Sequence, residues 1–258
     1  MASQPTDLPQ IAYSECGSGP PLLLVHGAMI TGEMFDSVSA DFAKRHRVIM
    51  PDLRGHGRSR DIPGPYDVKT LAGDLTRLLD RLGVASTAVL GYSHGGAIAQ
   101  QLALNDPGRC ARLILACTYA FNRATTREWL EGRLAPLLIR VLGMRRFARL
   151  VISLGLKRVE RRRARQVVDL IAGQDAKKMR EVWEGAMSFD SRARLYEIHC
   201  PTLVLAGAED NAVPIHHARM LQTGIKNSRL VVIDGADHAL IWTHPGELAR
   251  ATEAFLAI

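Results

Sequence analysis

Six short, predominantly apolar runs recur along the chain, at residues 22–25, 47–50, 88–90, 113–116, 203–206 and 230–233, each bounded by turn-forming residues. Runs of this length, rich in Leu, Ile and Val without a polar alternation, suit strands buried on both faces. Between several of them lie stretches with helical spacing. Leu71, Leu75, Leu78, Leu79 and Leu82 mark one such stretch over residues 68–82, and Asp67 is placed to cap its start. Strands alternating with helices predict an α/β architecture, a mostly parallel sheet flanked by helices on both faces.

One interval departs from the alternation. Residues 119–199 contain no convincing strand, but amphipathic helical patterns run over residues 137–156, 167–171 and 179–187. Roughly eighty residues far exceeds the usual crossover between neighbouring strands. The expected organisation is therefore a core domain of residues 1–118 and 200–258 with a helical cap, residues 119–199, inserted into it. At 258 residues and 47% hydrophobic content, the chain has material for one substantial core but not for a second full domain.

Composition narrows the function. Residues 1–10 hold two prolines and polar side chains but no basic n-region or apolar h-region, so no secretory signal is expected, and no run approaches membrane-spanning length. Cys16, Cys110, Cys117 and Cys200 are scattered without paired spacing, which argues against a zinc site and suits structural thiols in the cytoplasm. The net charge of +7 is concentrated, because residues 140–165 carry ten Lys and Arg against the single acid Glu160. A solvated helix face is the plainer reading of that stretch, and attraction of anionic substrates is the alternative. Few aromatics are interleaved and no reader motif is present, so nucleic acid is not an expected partner.

The chemistry gathers around Gly91-Tyr92-Ser93-His94-Gly95, which follows the run at residues 88–90 and precedes a helical pattern over residues 96–104. Strand, sharp turn and helix are the context in which Gly-x-Ser-x-Gly lifts a serine hydroxyl clear of a sheet end. Serine needs a base to take its proton and a carboxylate to orient that base. His238, just after the last apolar run, is the candidate base. Asp210, in the loop after residues 203–206, is the candidate acid. Glu209 competes as a neighbour, whereas Asp234 and Asp237 are too close in sequence to His238 to approach its ring easily from behind. An oxyanion requires backbone N–H donors. His94 should supply one and the turn His26-Gly27-Ala28-Met29 the other, with Ala28 chosen, Met29 in reserve, and Gly27 giving the turn its freedom. The His94 side chain either lines the pocket or faces solvent. Trp129, Trp183, Met187 and Phe189 are candidates for lining the cap pocket, although packing is the plainer reading of each.

His26-Gly27, Asp52-Leu53-Arg54-Gly55-His56-Gly57-Arg58-Ser59, Gly91 to Gly96, Gly207-Ala208-Glu209-Asp210 and Asp237-His238 together resemble the α/β-hydrolase superfamily across nearly the whole chain outside the cap. The resemblance implies Ser93 as nucleophile, Asp210 as acid, His238 as base, and a cofactor-free active site beneath a helical lid. It also implies that residues 52–59 form a structural turn, so His56 is not assigned to catalysis. Within the superfamily the chain is similar to small bacterial carboxylesterases and 3-oxoadipate enol-lactonases, the latter through Gly64-Pro65-Tyr66 and the helix after it. Haloalkane dehalogenases and epoxide hydrolases carry aspartate where this chain has Ser93. The expected activity is hydrolysis of a small-molecule carboxylic ester or lactone through an acyl-enzyme. A C–C bond hydrolase, which tends to have a glycine-rich turn where this chain reads Ala28-Met29-Ile30, remains an alternative. So does a cofactor-free perhydrolase, which tends to have proline there. A non-catalytic small-ligand-binding module on the same fold is the alternative from another class. Homo-oligomerisation is left open.

Overall fold

The computed structural model describes residues 9–156 and 158–257. Its strands are β1 (Tyr13–Cys16), β2 (Pro21–Val25), β3 (Arg47–Pro51), β4 (Thr87–Tyr92), β5 (Cys110–Ala116), β6 (Thr202–Gly207) and β7 (Ser228–Ile233), in one sheet of order β1-β3-β2-β4-β5-β6-β7. Only β1 runs antiparallel to its neighbour; the remaining pairs are parallel. The helices are α1 (Asp36–Phe42), α2 (Val68–Arg81), α3 (His94–Asn105), α4 (Thr126–Gly155), α5 (Arg161–Ala172), α6 (Ala176–Ser188), α7 (Ile215–Gly224), α8 (Leu240–Thr243) and α9 (Pro245–Leu256).

Burial on both faces follows from the period-two geometry of the strands. Leu23 and Val25 of β2, Leu113 and Leu115 of β5, and Val204 and Ala206 of β6 pack with Leu71 and Leu75 of α2, Ile98 and Leu102 of α3 and Leu221 of α7. Their alternates Leu22, Leu24, Ile114, Leu203 and Leu205 pack with Val38 and Phe42 of α1 and Leu248 and Phe255 of α9. α2 starts where its sequence indicates, with the Asp67 carboxylate accepting the Thr70 N–H at 2.9 Å.

Three elements depart from the sequence reading. β1 escapes it because Tyr-Ser-Glu-Cys is not apolar, as befits a strand with one neighbour and a partly exposed pattern. β7 was expected to be buried, yet it lies at the opposite edge and leaves Val232 41% exposed. α4 begins at Thr126, well before residue 137, and runs through Pro136 to a kink at Gly143, whose φ of 71° is left-handed. Its start is fixed by a capping box in which Thr125 and Glu128 each accept the other's backbone N–H.

The long interval between β5 and β6 holds α4, α5 and α6. These helices sit at the carboxyl end of the sheet. Ala135, Ile139, Met144, Phe147, Met179 and Val182 pack against Met29, after β2, and Tyr66, after β3. Polar ties add to this contact: Arg158 donates to both oxygens of Glu209, Arg163 to Asp36, and the Gly57 N–H to Gln174. The strand order reverses direction beside β2, since β3 lies on one side of it and β4 on the other. Connections diverge at such a switch point and leave a crevice at the strand ends, which is where open α/β sheets bind ligands.

Candidate active site

Ser93 follows β4 directly, on that switch point. Its φ of 53° and ψ of −121° place a non-glycine residue in a disfavoured conformation, at a cost on the order of 1–3 kcal/mol that the surrounding structure must hold. Two contacts hold it: the Ser93 N–H donates to Ala116 O at 2.9 Å, and Thr118 Oγ1 donates to Ser93 O at 2.6 Å. The helix after it approaches β2 so closely that a Cβ on Gly95 would lie 2.1 Å from Val25 O and 2.6 Å from His26 O. Only glycine fits there.

The loops after β6 and β7 bring the other two side chains in. A Cβ on Gly207 would lie 2.4 Å from Ala236 O, and the Glu209 N–H donates to that same carbonyl at 2.9 Å, so the two loops are packed together. His238 Nδ1 lies 2.8 Å from Asp210 Oδ2, and His238 Nε2 lies 3.1 Å from Ser93 Oγ. A carboxylate only accepts, so Nδ1 carries the proton and Nε2 offers its lone pair to the serine hydroxyl. Asp210 Oδ1 accepts the Ala212 and Val213 N–H groups at 2.9 and 2.8 Å, which fixes the carboxylate plane. Burial disfavours the His238 imidazolium, but the charge and hydrogen bond of Asp210 outweigh it and hold the His238 pKa above its ordinary value. The rival acids are engaged elsewhere: Glu209 with Arg158, and Asp237 with the Ala239 N–H at 2.8 Å.

The turn after β2 distinguishes the two candidate donors. Met29, with φ of 62°, donates its N–H to His56 Nε2 at 3.3 Å and is thereby committed. The Ala28 N–H has no partner among the described residues, nor has that of His94 at the start of α3. The left-handed residue of the turn is Met29. A Cβ on Gly27 would sit 3.4 Å from the Ser93 Cβ, an ordinary packing distance, so the turn passes directly over the serine.

Sequence reasoning missed what lies beneath this turn. His26 Nε2 accepts the Leu53 N–H at 2.9 Å, which leaves Nδ1 protonated and donating to Gly27 O at 2.7 Å. His56 repeats the pattern, accepting from Met29 while its Nδ1 donates to Arg54 O at 3.0 Å. Each ring ties the turn after β2 to the segment after β3 as a neutral imidazole. Burial pushes the pKa of His26 down to about 4 and that of His56 down to about 3. The His94 side chain does not face solvent: it is buried, Nδ1 lies 3.3 Å from Tyr119 Oη, and burial again lowers its pKa to about 3. Tyr92 is a further omission. Its buried hydroxyl donates to His238 O at 2.9 Å and accepts the Ile241 N–H at 3.3 Å, so it holds the histidine loop. The aromatic and Met candidates between β5 and β6 separate. Phe189 is packed in the core, and Trp129, Trp183 and Met187 line a groove that includes neither Ser93 nor His238.

Among the described residues, two groups of side chains have donor atoms close enough to share an ion: Cys117 with Asp210 and His238, and Glu128 with His216 and His217. In the first, Asp210 and His238 already bond one another.

Residues 20–245 match the family model described as the alpha/beta hydrolase fold, and the chain belongs to that family. It is 31% identical to a protein of Azorhizobium caulinodans that carries the provisional name carbamate hydrolase RutD, across 88% of this chain and 87% of that one. It is 33% identical, over 99% of its length, to part of the polyketide synthase ThaQ of Burkholderia thailandensis, of which it spans only 13%. The crystal structure of the enol-lactonase from Burkholderia xenovorans LB400 superimposes with a TM-score of 0.87 at 25% identity, covering 96% of each chain.

Proposed function

We propose that the protein is a serine hydrolase that cleaves a carboxylic ester or lactone through an acyl-enzyme. The observation that carries this reading is the unbroken relay from Ser93 Oγ to His238 to Asp210, at 3.1 and 2.8 Å. In the proposed reaction Ser93 Oγ attacks the carbonyl carbon as His238 Nε2 takes its proton, and Asp210 stabilises the imidazolium that forms. The N–H groups of Ala28 and His94 stabilise the developing oxyanion, on the order of 3 kcal/mol for each. The imidazolium then protonates the leaving alkoxide, or the ring-opened oxygen of a lactone. Water deprotonated by His238 releases the acid and regenerates Ser93. The similarity to an enol-lactonase supports the acyl chemistry, and the packing of α4, α5 and α6 over the sheet's carboxyl end supports their role as a cap that shapes the substrate pocket. A fluorophosphonate probe should label Ser93, and Ser93→Ala should abolish both labelling and turnover of short p-nitrophenyl esters. Failure of the intact protein to label would overturn the reading in favour of a ligand-binding module.

A further inference from the structure

Where α4 begins, its first turn meets the first turn of α7. Glu128 Oε1 lies 3.0 Å from His216 Nε2 and 3.3 Å from His217 Nε2, and the three donor atoms all fall within 4.8 Å of one another. The carboxylate is held in place from its other side. Oε2 accepts the Ala124 and Thr125 N–H groups at 2.7 and 3.1 Å, so the capping box that starts α4 also aims Oε1 at the imidazoles. Despite the short separations the geometry is not that of hydrogen bonds: His216 Nε2 and both ring nitrogens of the fully buried His217 are left without a partner. Burying an imidazole in that state costs about 1–3 kcal/mol for each unsatisfied group.

We propose that Glu128, His216 and His217 form a binding site for a divalent transition-metal ion of the Zn²⁺, Co²⁺ or Ni²⁺ type, held by Oε1 and the two Nε2 atoms. Imidazole nitrogen with one carboxylate oxygen is a donor set these ions favour. Spacing agrees, since ligands at ~2.0–2.1 Å in a tetrahedral shell stand about 3.3 Å apart. The His216 side chain is 38% exposed although its Nε2 is buried, so the site lies just beneath the surface. Such an ion would brace the helices between β5 and β6 against α7, the helix that follows the Asp210 loop. Its role is independent of the Ser93 chemistry.

The test uses the full chain, untagged and stripped with a chelator, titrated with Co²⁺ and followed by its visible ligand-field absorption. One equivalent should bind, Zn²⁺ should displace it, and Zn²⁺ should raise the thermal midpoint. Glu128→Gln, which keeps an oxygen for the backbone N–H groups, and His216→Ala, at the most exposed of the three positions, should each weaken binding at least about tenfold, the smaller loss typical of disturbing even an outer partner of a metal ligand. Far-ultraviolet circular dichroism of both variants should match the parent. Absence of Co²⁺ binding by the parent, or undiminished binding in both folded variants, overturns the proposal.

Discussion

Asp210→Asn removes a charge while keeping shape, and the structure dictates which way the new amide points. Asp210 Oδ1 accepts two backbone N–H groups, from Ala212 and Val213, whereas Oδ2 faces only His238 Nδ1. An asparagine satisfies the two backbone donors with its oxygen, which turns its NH₂ toward His238. Two N–H groups cannot face one another, so the ring must present a lone pair at Nδ1 and move its proton to Nε2. That proton then points at Ser93 Oγ, 3.1 Å away, and the base is gone. A wrong-tautomer imidazole of this kind costs about four decades in kcat, equivalent to roughly 5 kcal/mol at 1.36 kcal/mol per decade. The acidic limb of kcat/KM should also move to lower pH, because the carboxylate that holds the His238 pKa up has been neutralised. Stopped-flow hydrolysis of a p-nitrophenyl ester would measure the rate, and a thermal melt would show that the loop still folds. A folded Asp210→Asn variant with more than about a tenth of the parent kcat would refute both the tautomer argument and the relay.

Tyr92→Phe removes the hydroxyl that bridges His238 O and the Ile241 N–H; it should cost about 1–3 kcal/mol of stability and lower kcat more than it changes KM, whereas an unchanged kcat would mean that Tyr92 does not position the histidine. Asp74→Ala strands Arg54, which donates to both Asp74 oxygens at 2.7 Å in a nearly dry site; the urea midpoint should fall by the equivalent of about 3–5 kcal/mol, and a loss below about 1 kcal/mol would contradict the account. His26, His56 and His94 have folded pKa values near 4, 3 and 3, below the ordinary 6.5, so the unfolded chain binds more protons in the intervening range. Stability is therefore complete above pH 6.5 and declines as pH falls toward the folded values, by about 1.4 kcal/mol per histidine per pH unit and ~4 kcal/mol in all between pH 6 and 5. The raised pKa of His238 acts in a different range: its contribution is present below pH 6.5 and is lost as pH rises above it, so it leaves the acid decline in place. Denaturant titrations giving the same stability at pH 7 and pH 5 would show that the trio is not held neutral.

Sequence reading succeeded where chemistry is tied to local pattern. The buried strands announce themselves as apolar runs, and Ser93, Asp210 and His238 follow three of them in order, so both the α/β sheet and the three side chains that meet above it could be picked out. The misses share another cause. β1 is polar because it has one neighbour, and α4 is obscured by Pro136, which reads as a helix break until tertiary packing holds the helix through it. His26, His56 and Tyr92 act through backbone groups of distant segments, and no spacing in the chain encodes such a contact. The same is true of Cys110 and Cys200, ninety residues apart, whose Sγ atoms lie 3.8 Å from one another. In the turn at Gly27 the left-handed torsion belongs to Met29, a residue type that carries no sequence signal for it.

The placement of Ser93, Asp210 and His238 after β4, β6 and β7 has a consequence for how the molecule assembles. Their separations are set by the pairing of strands whose sequence neighbours lie far away, and β5 meets β6 only after the chain has closed a loop of about 85 residues that includes α4, α5 and α6. No single hairpin or helix pair contains the relay. A slip of one residue in the β5 and β6 register would carry Asp210 and His238 together about 3.3 Å along the strand, and so take His238 beyond hydrogen-bonding reach of Ser93. Covalent capture of Ser93 during refolding would therefore time the last long-range docking event of the sheet, and its lag behind the recovery of helical signal would measure how late β6 and β7 join the rest.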